Sequence, residues 1–419
     1  MLRDREIILG VAGGIAAYKS VLLCRDLTQA GANVHVVMTE NATQFVTPLT
    51  FQTISGNPVT HQLFALFQGS EIGHVTLADR AHAMVVAPAT ANLLGKVANG
   101  IADDFLSTMI MATRVPVVFA PAMNVVMWES RAVQRNVALL GEAGYHLVGP
   151  VPGELACGVT GKGKMASPAE IIDALEIILS PKDLAGERVL VTAGPTLEPI
   201  DPVRFISNHS SGKMGYALAR AAVRRGAQVT LVTGPTALAS PLHVRVVRVT
   251  TAREMHEAVL REAQEATVVL KAAAVCDWRP TASAAQKIKK RQGSPPSLLL
   301  EPNPDILRDL GVHKPPGQLL IGFAAETTEL EANARAKLAE KNLDAVVAND
   351  VTAPGAGFLV DTNAVRIFTA DGAEIGVPLT TKERVADRVL GVVVKLRTGS
   401  QKQVWEPPAE PLRFWPEEP

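Results

Sequence analysis

Residues 207–215 read Ser-Asn-His-Ser-Ser-Gly-Lys-Met-Gly and lie between an extended apolar run, Val189–Gly194, and a helical pattern, Tyr216–Arg225. Six of the nine residues are Ser, Asn or Gly. A loop of short polar and flexible residues between a strand and a helix directs amide N–H groups at an anion, typically phosphate. A second glycine-rich loop, Val11–Lys19, occupies the same kind of position near the start of the chain. Two such loops predict two anion sites, and therefore two active sites.

Short apolar strands alternate with helical patterns along the chain, which predicts an α/β fold with parallel sheets and helices on both faces. Residues 180–186 (Ser-Pro-Lys-Asp-Leu-Ala-Gly) interrupt this alternation. We therefore expect two Rossmann-like domains, residues 1–180 and 187–397, the second with a β-hairpin that turns at Asp371-Gly372. Residues 398–419 are rich in Pro and Glu and are expected to form a disordered or loosely docked tail.

The composition is typical of a soluble globular enzyme. Hydrophobic residues make up 47% and charged residues 20%, and the formal net charge of +0 gives no electrostatic reason to expect nucleic acid or an anionic membrane as a partner. No apolar run approaches the roughly 20 residues that a membrane-spanning helix needs. Cys24, Cys157 and Cys276 are far apart and odd in number, so we expect reduced thiols and a cytoplasmic location.

Glycine-rich and proline-rich loops follow the predicted strands of the first half, where open parallel sheets bind their ligands. These loops contain Gly14, Thr39, the run Pro88–Asn92, and Asn124. None has the Gly-x-Gly-x-x-Gly pattern of a dinucleotide site, so a mononucleotide with one phosphate fits better. Taken singly, each loop is also explained as an ordinary turn, because such turns need Gly and Pro.

Two other side chains of the first half could exchange protons. His74 precedes a helical pattern, where a neutral imidazole either accepts a proton near pH 7 or only bonds to the backbone. Cys157 lies in residues 152–165, a glycine-rich stretch with two lysines. We expect a mobile, cation-bearing flap there, in which the thiol ionises more readily.

The second half carries cations that could meet a triphosphate. The loop at residues 207–215 lacks the spacing of a P-loop. Lys287 begins the run Lys-Ile-Lys-Lys-Arg, which either neutralises phosphates or forms a solvated surface. Lys337 and Lys341 are four residues apart on a predicted helix, so they reach the same anion or share a solvent face.

These motifs together resemble a known family. The first half resembles the FMN-dependent cysteine decarboxylases in residues 13–19 (Gly-Gly-Ile-Ala-Ala-Tyr-Lys), in His74, in Pro121-Ala122-Met123-Asn124-x-x-Met127-Trp128, and in Ala156-Cys157-Gly158-x-x-Gly161-x-Gly163-x-Met165. The second half resembles the phosphopantothenate–cysteine ligases. In that order, over about residues 1–397, the chain resembles the bacterial bifunctional coenzyme A biosynthesis proteins. The resemblance implies a flavodoxin-like flavoprotein domain followed by a ligase domain.

The resemblance also implies an activity. 4′-Phosphopantothenate would be joined to cysteine through an acyl-cytidylate made from CTP, and the product would then be decarboxylated to 4′-phosphopantetheine. FMN would oxidise the cysteinyl thiol to a thioaldehyde, whose C=S accepts the electrons released with CO₂, and the flavin would then reduce the enethiol. His74 would be the base, Asn124 would bind the substrate carboxylate, and Cys157 would donate the last proton.

The resemblance assigns ligands to the remaining positions. FMN would be held by Gly14, Thr39, Pro88, Thr90 and Asn92. In the ligase, Lys287 would stabilise charge during activation and Asn208 would hold the acyl-cytidylate. The CTP contacts would be Ala272, Ala273, Asp277, Pro304, Asp305, Ile306, Leu307, Phe323, Lys337 and Lys341. Mg²⁺ is implied because a triphosphate needs charge neutralisation. A homo-oligomer is also implied, with trimers formed through the decarboxylase domain and dimers through the ligase domain.

Two other classes of function remain open at this point. One is a nicotinamide-dependent oxidoreductase built on two Rossmann-like domains, against which the missing dinucleotide pattern argues. The other is a non-catalytic flavoprotein that regulates a partner protein. The joint presence of His74, Asn124 and Cys157 argues against that second class.

Overall fold

The chain divides into two compact units that meet in sequence between Ser180 and Pro181. The structure is a computed structural model that describes residues 2–61, 77–78, 80–156, 158–289, 297–326, 328–350, 355–357 and 360–399. His74, Cys157 and the tail expected after residue 399 lie outside the described residues. Each unit is built around its own parallel sheet, and both confirm the predicted α/β class.

The first unit contains a five-stranded parallel sheet. Its strands, in chain order, are Glu6–Val11, Asn33–Met38, Ala83–Ala89, Val117–Pro121 and His146–Leu147. In space the second strand lies at one edge, next to the first, which is followed by the third, fourth and fifth. This is the strand order of the flavodoxin-like folds, in which the ligand lies where the order reverses, between the first and third strands.

Helices cover both faces of this sheet. They span Ala17–Gln29, Pro48–Ser55, Ala91–Ala98, Phe105–Ala112, Val125–Glu129, Arg131–Glu142 and Pro168–Leu179, with a 3₁₀ turn at Glu40–Gln44. Alternate residues of the first strand enter two separate cores, Ile7 and Leu9 on one face and Ile8 on the other. A strand buried on both faces must be apolar throughout, which explains its continuous hydrophobic run.

The predicted flap forms an antiparallel hairpin of the strands Val151–Glu154 and Thr160–Lys164. Its glycines allow close packing. A Cβ atom at Gly163 would lie 2.4 Å from the carbonyl oxygen of Met123, and one at Gly161 would lie 2.8 Å from a methyl group of Val125. The predicted flap is thus a hairpin in the structure, and its glycines let it approach the Asn124 loop.

The second unit contains an eight-stranded sheet. Its strands are Arg188–Ala193, Gln228–Thr233, Val244–Arg248, Val268–Lys271, Leu319–Glu326, Ala345–Asp350, Thr362–Thr369 and Glu374–Thr381. In space the order is third, second, first, fourth, fifth, sixth, seventh and eighth. The first six strands are parallel, and the last two form the predicted hairpin. The order reverses between the first and fourth strands, which is where Rossmann-like sheets bind ligands.

Five helices lie on this sheet within the described residues, at Lys213–Arg224, Ala252–Ala263, Ile306–Val312, Leu330–Glu340 and Lys382–Thr398. Two small strand pairs were not predicted, Leu197–Pro199 with Phe205–Ser207 and Trp278–Pro280 with Leu300–Pro302. The first pair is inserted between the strand Arg188–Ala193 and the loop at residues 207–215. That loop therefore follows a hairpin, and its helix begins at Lys213, three residues before the predicted pattern at Tyr216.

Candidate functional site

A cavity of about 890 Å³ opens at the carboxyl ends of the strands of the first sheet. It is lined by the loops that follow the first, second, third and fourth strands, and by the hairpin at residues 151–164. It contains every predicted ligand residue of the first half that the structure describes, namely Gly14, Thr39, Pro88, Thr90, Asn92 and Asn124. The sheet therefore brings to one place loops that are far apart in sequence.

Several of these residues also shape the cavity wall. The hydroxyl of Thr39 accepts from the amide of Ala42 at 3.3 Å, and that of Thr90 accepts from the amide of Leu93 at 3.4 Å. Each threonine thus caps the turn or helix that follows its strand. A Cβ atom at Gly13 would lie 2.5 Å from that of Asn41, so only glycine allows these two loops to meet.

The cavity wall has cationic character where the helix Ala17–Gln29 begins. The N-cap residue Ala16 offers no side-chain hydrogen bond to the first turn, whose amide groups carry the positive end of the helix dipole. Lys19 and Lys164 also line the cavity. Burial lowers the pKa of Lys19, and the nearby charge of Lys164 lowers it further. Sequence reasoning placed Lys164 only among the cations of the flap and gave Lys19 no charge role, although this arrangement is suited to an anion.

Asn124 also lines the cavity. Its Oδ1 accepts from the amide of Val126 at 2.8 Å, which starts the short helix Val125–Glu129. The amide of the preceding Met123 donates to the carbonyl of Gly163 at 3.0 Å. The loop that carries Asn124 is thus held by the hairpin whose turn contains Cys157.

The other predicted proton-transfer residues are His74 and Cys157, and both lie outside the described residues. The three residues that precede Cys157 line the cavity: Glu154, Leu155 and Ala156. The chain around Cys157 closes on itself, since the amide of Leu155 donates to the carbonyl of Val159 at 3.0 Å.

In the second unit, the predicted CTP residues gather at the carboxyl ends of the central strands. Asp305 caps the helix Ile306–Val312 by accepting from the amide of Arg308 at 3.0 Å, and it forms an ion pair with Lys341. Burial raises the pKa of Asp305, but the hydrogen bonds from Lys341 and from the Arg308 amide outweigh it, so the net pKa is lowered. Lys337 donates to the carbonyl of Phe323 at 2.8 Å.

Lys271 is a cation of this cluster that sequence reasoning missed. It ends the strand Val268–Lys271 and is followed by Ala272 and Ala273. Burial lowers its pKa to about 8, and the charge of Lys337 acts in the same direction. The available signal was a lysine at the end of an apolar strand.

The side chains of Ile306 and Leu307 are too deeply buried to contact a ligand directly. Both side chains are buried in the core cluster that contains Leu310 and Val346. Only their backbone, together with Pro304 and Asp305, can face a ligand.

Asn208 is joined to the same edge of the sheet. Its Nδ2 donates to the carbonyl of Val275 at 2.9 Å, and Asn303 donates to the carbonyl of Cys276 at 2.9 Å. These two bonds hold the loop at residues 207–215 and the residue before Pro304 against the segment that leads to Asp277. The structure thus brings Asn208 close to the segment predicted to bind CTP.

Lys287 is exposed, and the bonds of its segment go to residues other than those of the cluster described above. The amide of its neighbour Ile288 donates to Asp201 at 3.1 Å, and the Ile288 carbonyl accepts from Arg204 at 2.9 Å. Among the described residues, no hydrogen bond or ion pair joins Lys287 to the cluster of Lys271 and Lys337. These contacts tie the Lys287 segment to the hairpin that precedes the loop at residues 207–215.

A metal-binding cluster and a membrane-spanning helix are both absent from the described part of the chain. No group of three or more His, Cys, Asp or Glu side chains is arranged to hold a metal ion. No described helix is both long and apolar enough to cross a membrane.

Comparison with known proteins covers both units. A family model described as "Flavoprotein" matches residues 1–179, and one described as "DNA/pantothenate metabolism flavoprotein C-terminal domain" matches residues 184–396. The coenzyme A biosynthesis bifunctional protein CoaBC of Bacillus subtilis is 48% identical over 400 residues, covering 94% of this chain and 98% of its own length. The chain belongs to this family.

Two further members of the family are similar to this chain in sequence. The protein of the same name from Vibrio cholerae is 45% identical over 393 residues, covering 94% of this chain and 98% of its own. The crystal structure of the C-terminal domain of a CoaBC protein is 46% identical, covers 52% of this chain and 100% of its own, and superposes with a TM-score of 0.45. The family resemblance drawn from the sequence motifs is confirmed.

Proposed function

We propose that the chain catalyses two consecutive steps, the CTP-dependent ligation of 4′-phosphopantothenate to cysteine in its second unit and the FMN-dependent decarboxylation of the product in its first. It is a bifunctional enzyme of coenzyme A biosynthesis, as its family membership over both units indicates. The observation that carries the detailed assignment is the cavity that gathers Gly14, Thr39, Pro88, Asn92 and Asn124 at one sheet edge.

The cavity fits FMN in size and in charge. Its volume of about 890 Å³ lies within the usual range of roughly 300–1,000 Å³ for small-molecule sites. Gly14, Thr39, Pro88, Thr90 and Asn92 would hold the flavin, with its phosphate at the uncapped start of the helix Ala17–Gln29. When bound, FMN supplies the two-electron oxidation that makes the cysteinyl carboxylate labile, and the matching reduction.

The chain's own residues then bind the substrate and move protons. Asn124 would donate its amide N–H to the substrate carboxylate, from a loop that the hairpin holds in place. His74 would take a proton during oxidation, and Cys157 would return one when the double bond is reduced. The roles of these last two residues rest on the family motifs.

In the ligase, the cation cluster supports nucleotide binding. Lys337, Lys341 and the backbone around Asp305 would contact CTP, while Ala272, Ala273, Asp277 and Phe323 would form the adjacent walls. Asn208 would hold the acyl-cytidylate for attack by the cysteine amine. Lys287 would neutralise charge during activation. Mg²⁺ would enter as the counter-ion of the triphosphate.

Oligomerisation is part of the proposal. The first unit exposes large apolar side chains outside the cavity lining, among them Leu22 at 43%, Phe45 at 49% and Leu49 at 69% exposure. Tyr18 and Leu22 are four residues apart on one helix, so they share a face. We infer trimers through this unit and dimers through the ligase unit. A cytoplasmic location is consistent with Cys24 and Cys276, which are both free thiols.

Mass spectrometry of the products tests both steps together. The full chain with bound flavin, given phosphopantothenate, cysteine, CTP and Mg²⁺, is expected to yield phosphopantetheine, CO₂ and CMP. Without CTP, added phosphopantothenoylcysteine should still lose CO₂. A chain that consumes CTP but never releases CO₂ would contradict the decarboxylase assignment, and one that forms no amide would contradict the ligase assignment.

A further inference from the structure

Lys271 stands at the point of the second sheet where ligands are expected. It is the last residue of the fourth strand, which pairs with the first strand on one side and the fifth on the other. The strand order reverses between the first and fourth strands, and such a reversal opens a crevice at their carboxyl ends. Lys271 therefore lies at the base of that crevice.

The side chain points to the face that carries the nucleotide residues. Side chains alternate along a strand, and Leu270 enters one core while Val269 enters the other. Lys271 shares the face of Val269, on which the helices Ile306–Val312 and Leu330–Glu340 pack. These helices carry Asp305 at their start and Lys337 near their end, respectively.

The surroundings of Lys271 do not fully compensate its charge. Its Nζ donates to the carbonyl of Ala273 at 3.3 Å, a long bond to a neutral partner. Lys337 opposes its protonation, while Asp305 and Asp277 favour it. The carboxylate of Asp305 is already paired with Lys341, and no ion pair with Lys271 occurs among the residues described. Two ammonium groups thus lie near each other at the end of a strand.

Such an arrangement opposes folding. A lysine whose folded pKa, about 8, lies below its ordinary 10.5 destabilises the folded state at every pH below 8. An apolar residue would be more favourable in this position, so stability does not account for the lysine. An anion in the crevice would account for it, because the anion would bridge Lys271 and Lys337 and relieve their repulsion.

We propose that the Lys271 ammonium group binds the phosphates of the nucleotide in the ligase site, beside Lys337. This assignment rests on the proposed CTP-dependent ligation and adds a residue to it. CTP carries the negative charge that would compensate the Lys271 ammonium group, and the adjacent residues Ala272 and Ala273 have no charged side chain. Lys271 would thus lower the stability of the folded chain and strengthen nucleotide binding, a combination that is common in active sites.

Isothermal titration of the full chain with CTP and Mg²⁺, without phosphopantothenate, measures the effect. Lys271→Met keeps an unbranched side chain and removes the charge, and it is expected to weaken CTP binding about tenfold or more, since a hydrogen bond to a charged group is lost. The matched control is Lys395→Met, which removes an exposed lysine from the last turn of the C-terminal helix and should leave the affinity unchanged.

The pH dependence gives a second readout. Lys271 in the free protein loses its proton near pH 8, so CTP binding above that pH must take up a proton. The unmodified chain should therefore bind CTP more tightly than Lys271→Met by the full factor at pH 7 and by a smaller factor at pH 9. Lys337, Asp305 and Asp277 are the charged groups that face Lys271, and all three remain in both proteins.

Thermal unfolding without nucleotide separates this role from a structural one. Lys271→Met should raise or preserve the unfolding temperature of the ligase unit at pH 7. Three results for Lys271→Met would each overturn the inference. They are an unchanged CTP affinity, a loss of affinity that is equal at pH 7 and pH 9, and a lowered unfolding temperature. If the unmodified chain itself fails to bind CTP, the proposed ligase function has failed instead.

Discussion

At the scale of single residues, the first unit depends on glycines whose lack of a side chain is required by packing. Gly163 is the sharpest case, because a Cβ atom there would lie 2.4 Å from the carbonyl oxygen of Met123. The hairpin and the Asn124 loop could not then form the bond that joins them. Composition alone indicated a flexible segment, and only the contact showed that these glycines serve close approach.

Gly163→Ala should therefore damage decarboxylation and spare ligation. Overpacking of this kind typically destabilises by about 1–3 kcal/mol, and here it would displace the Asn124 loop. Separate assays of CO₂ release and amide formation would measure this. Gly141→Ala is the matched control, since a Cβ atom at that helical glycine meets nothing within 4 Å. Equal decarboxylation by the two variants would show that the close approach is not needed.

Asn124 combines a structural and a proposed binding role that one substitution can separate. Aspartate also caps helices well, so Asn124→Asp should keep the helix Val125–Glu129 and the fold. Its negative charge would repel the substrate carboxylate, and decarboxylation should fall by at least about tenfold. Mass spectrometry should then find phosphopantothenoylcysteine accumulating, with the far-ultraviolet circular dichroism unchanged. Normal turnover in this variant would remove Asn124 from carboxylate binding.

At the scale of elements, helix starts are fixed by local capping. Asp104 accepts from the amide of Ser107 at 2.7 Å, and the Ser107 hydroxyl accepts from the amide of Asp104 at 3.1 Å, which forms a capping box. Burial raises the pKa of Asp104, but the bonds from Ser107 and Lys96 outweigh it and the net pKa is lowered. The helix therefore begins at Phe105, directly after this cap.

Asp104→Ala should lower the free energy of unfolding of the first unit by about 1 kcal/mol near pH 7, the usual effect of losing such a cap. Because the folded pKa lies below the ordinary 3.8, the stabilisation by Asp104 is complete above that pH and decreases as the pH falls below it. Denaturant unfolding of both proteins at several pH values between 7 and 3 would measure the difference. A difference that grows as the pH is lowered would contradict this account.

Strand prediction failed at an edge of the second sheet. The strand Val244–Arg248 lies at the margin and has no fully buried residue, so its pattern shows neither a continuous apolar run nor a clear alternation. The central strands Arg188–Ala193 and Val268–Lys271 were predicted because both faces of a central parallel strand are buried.

At the scale of the whole molecule, each unit has its own hydrophobic cores. Two clusters lie within the first 180 residues, and two others lie entirely after Pro181. Each sheet also carries its own crevice at the point where its strand order reverses. From this organisation we expect each unit to fold and act by itself.

Separate expression of residues 1–180 and 181–399 should therefore give two folded fragments. The first is expected to be yellow with flavin and to decarboxylate phosphopantothenoylcysteine, and the second to form phosphopantothenoylcysteine from CTP. Absorbance spectra, circular dichroism and product analysis of each fragment would test this. An unfolded or inactive fragment at concentrations that preserve its oligomer would show that the units depend on each other.

The sequence by itself determined the α/β class, most central strands, the glycine loops and the family. These features are local, because strand burial, turn chemistry and motif spacing are encoded within short segments of the chain. The tertiary structure alone decided that the charges of Lys271 and Lys337 interact, that the neighbour of Lys287 is bonded to Asp201, and that glycines of the 151–164 hairpin pack closely against the Asn124 loop. These relations join segments distant in sequence, and no local pattern encodes which side chains the packed sheet brings into contact.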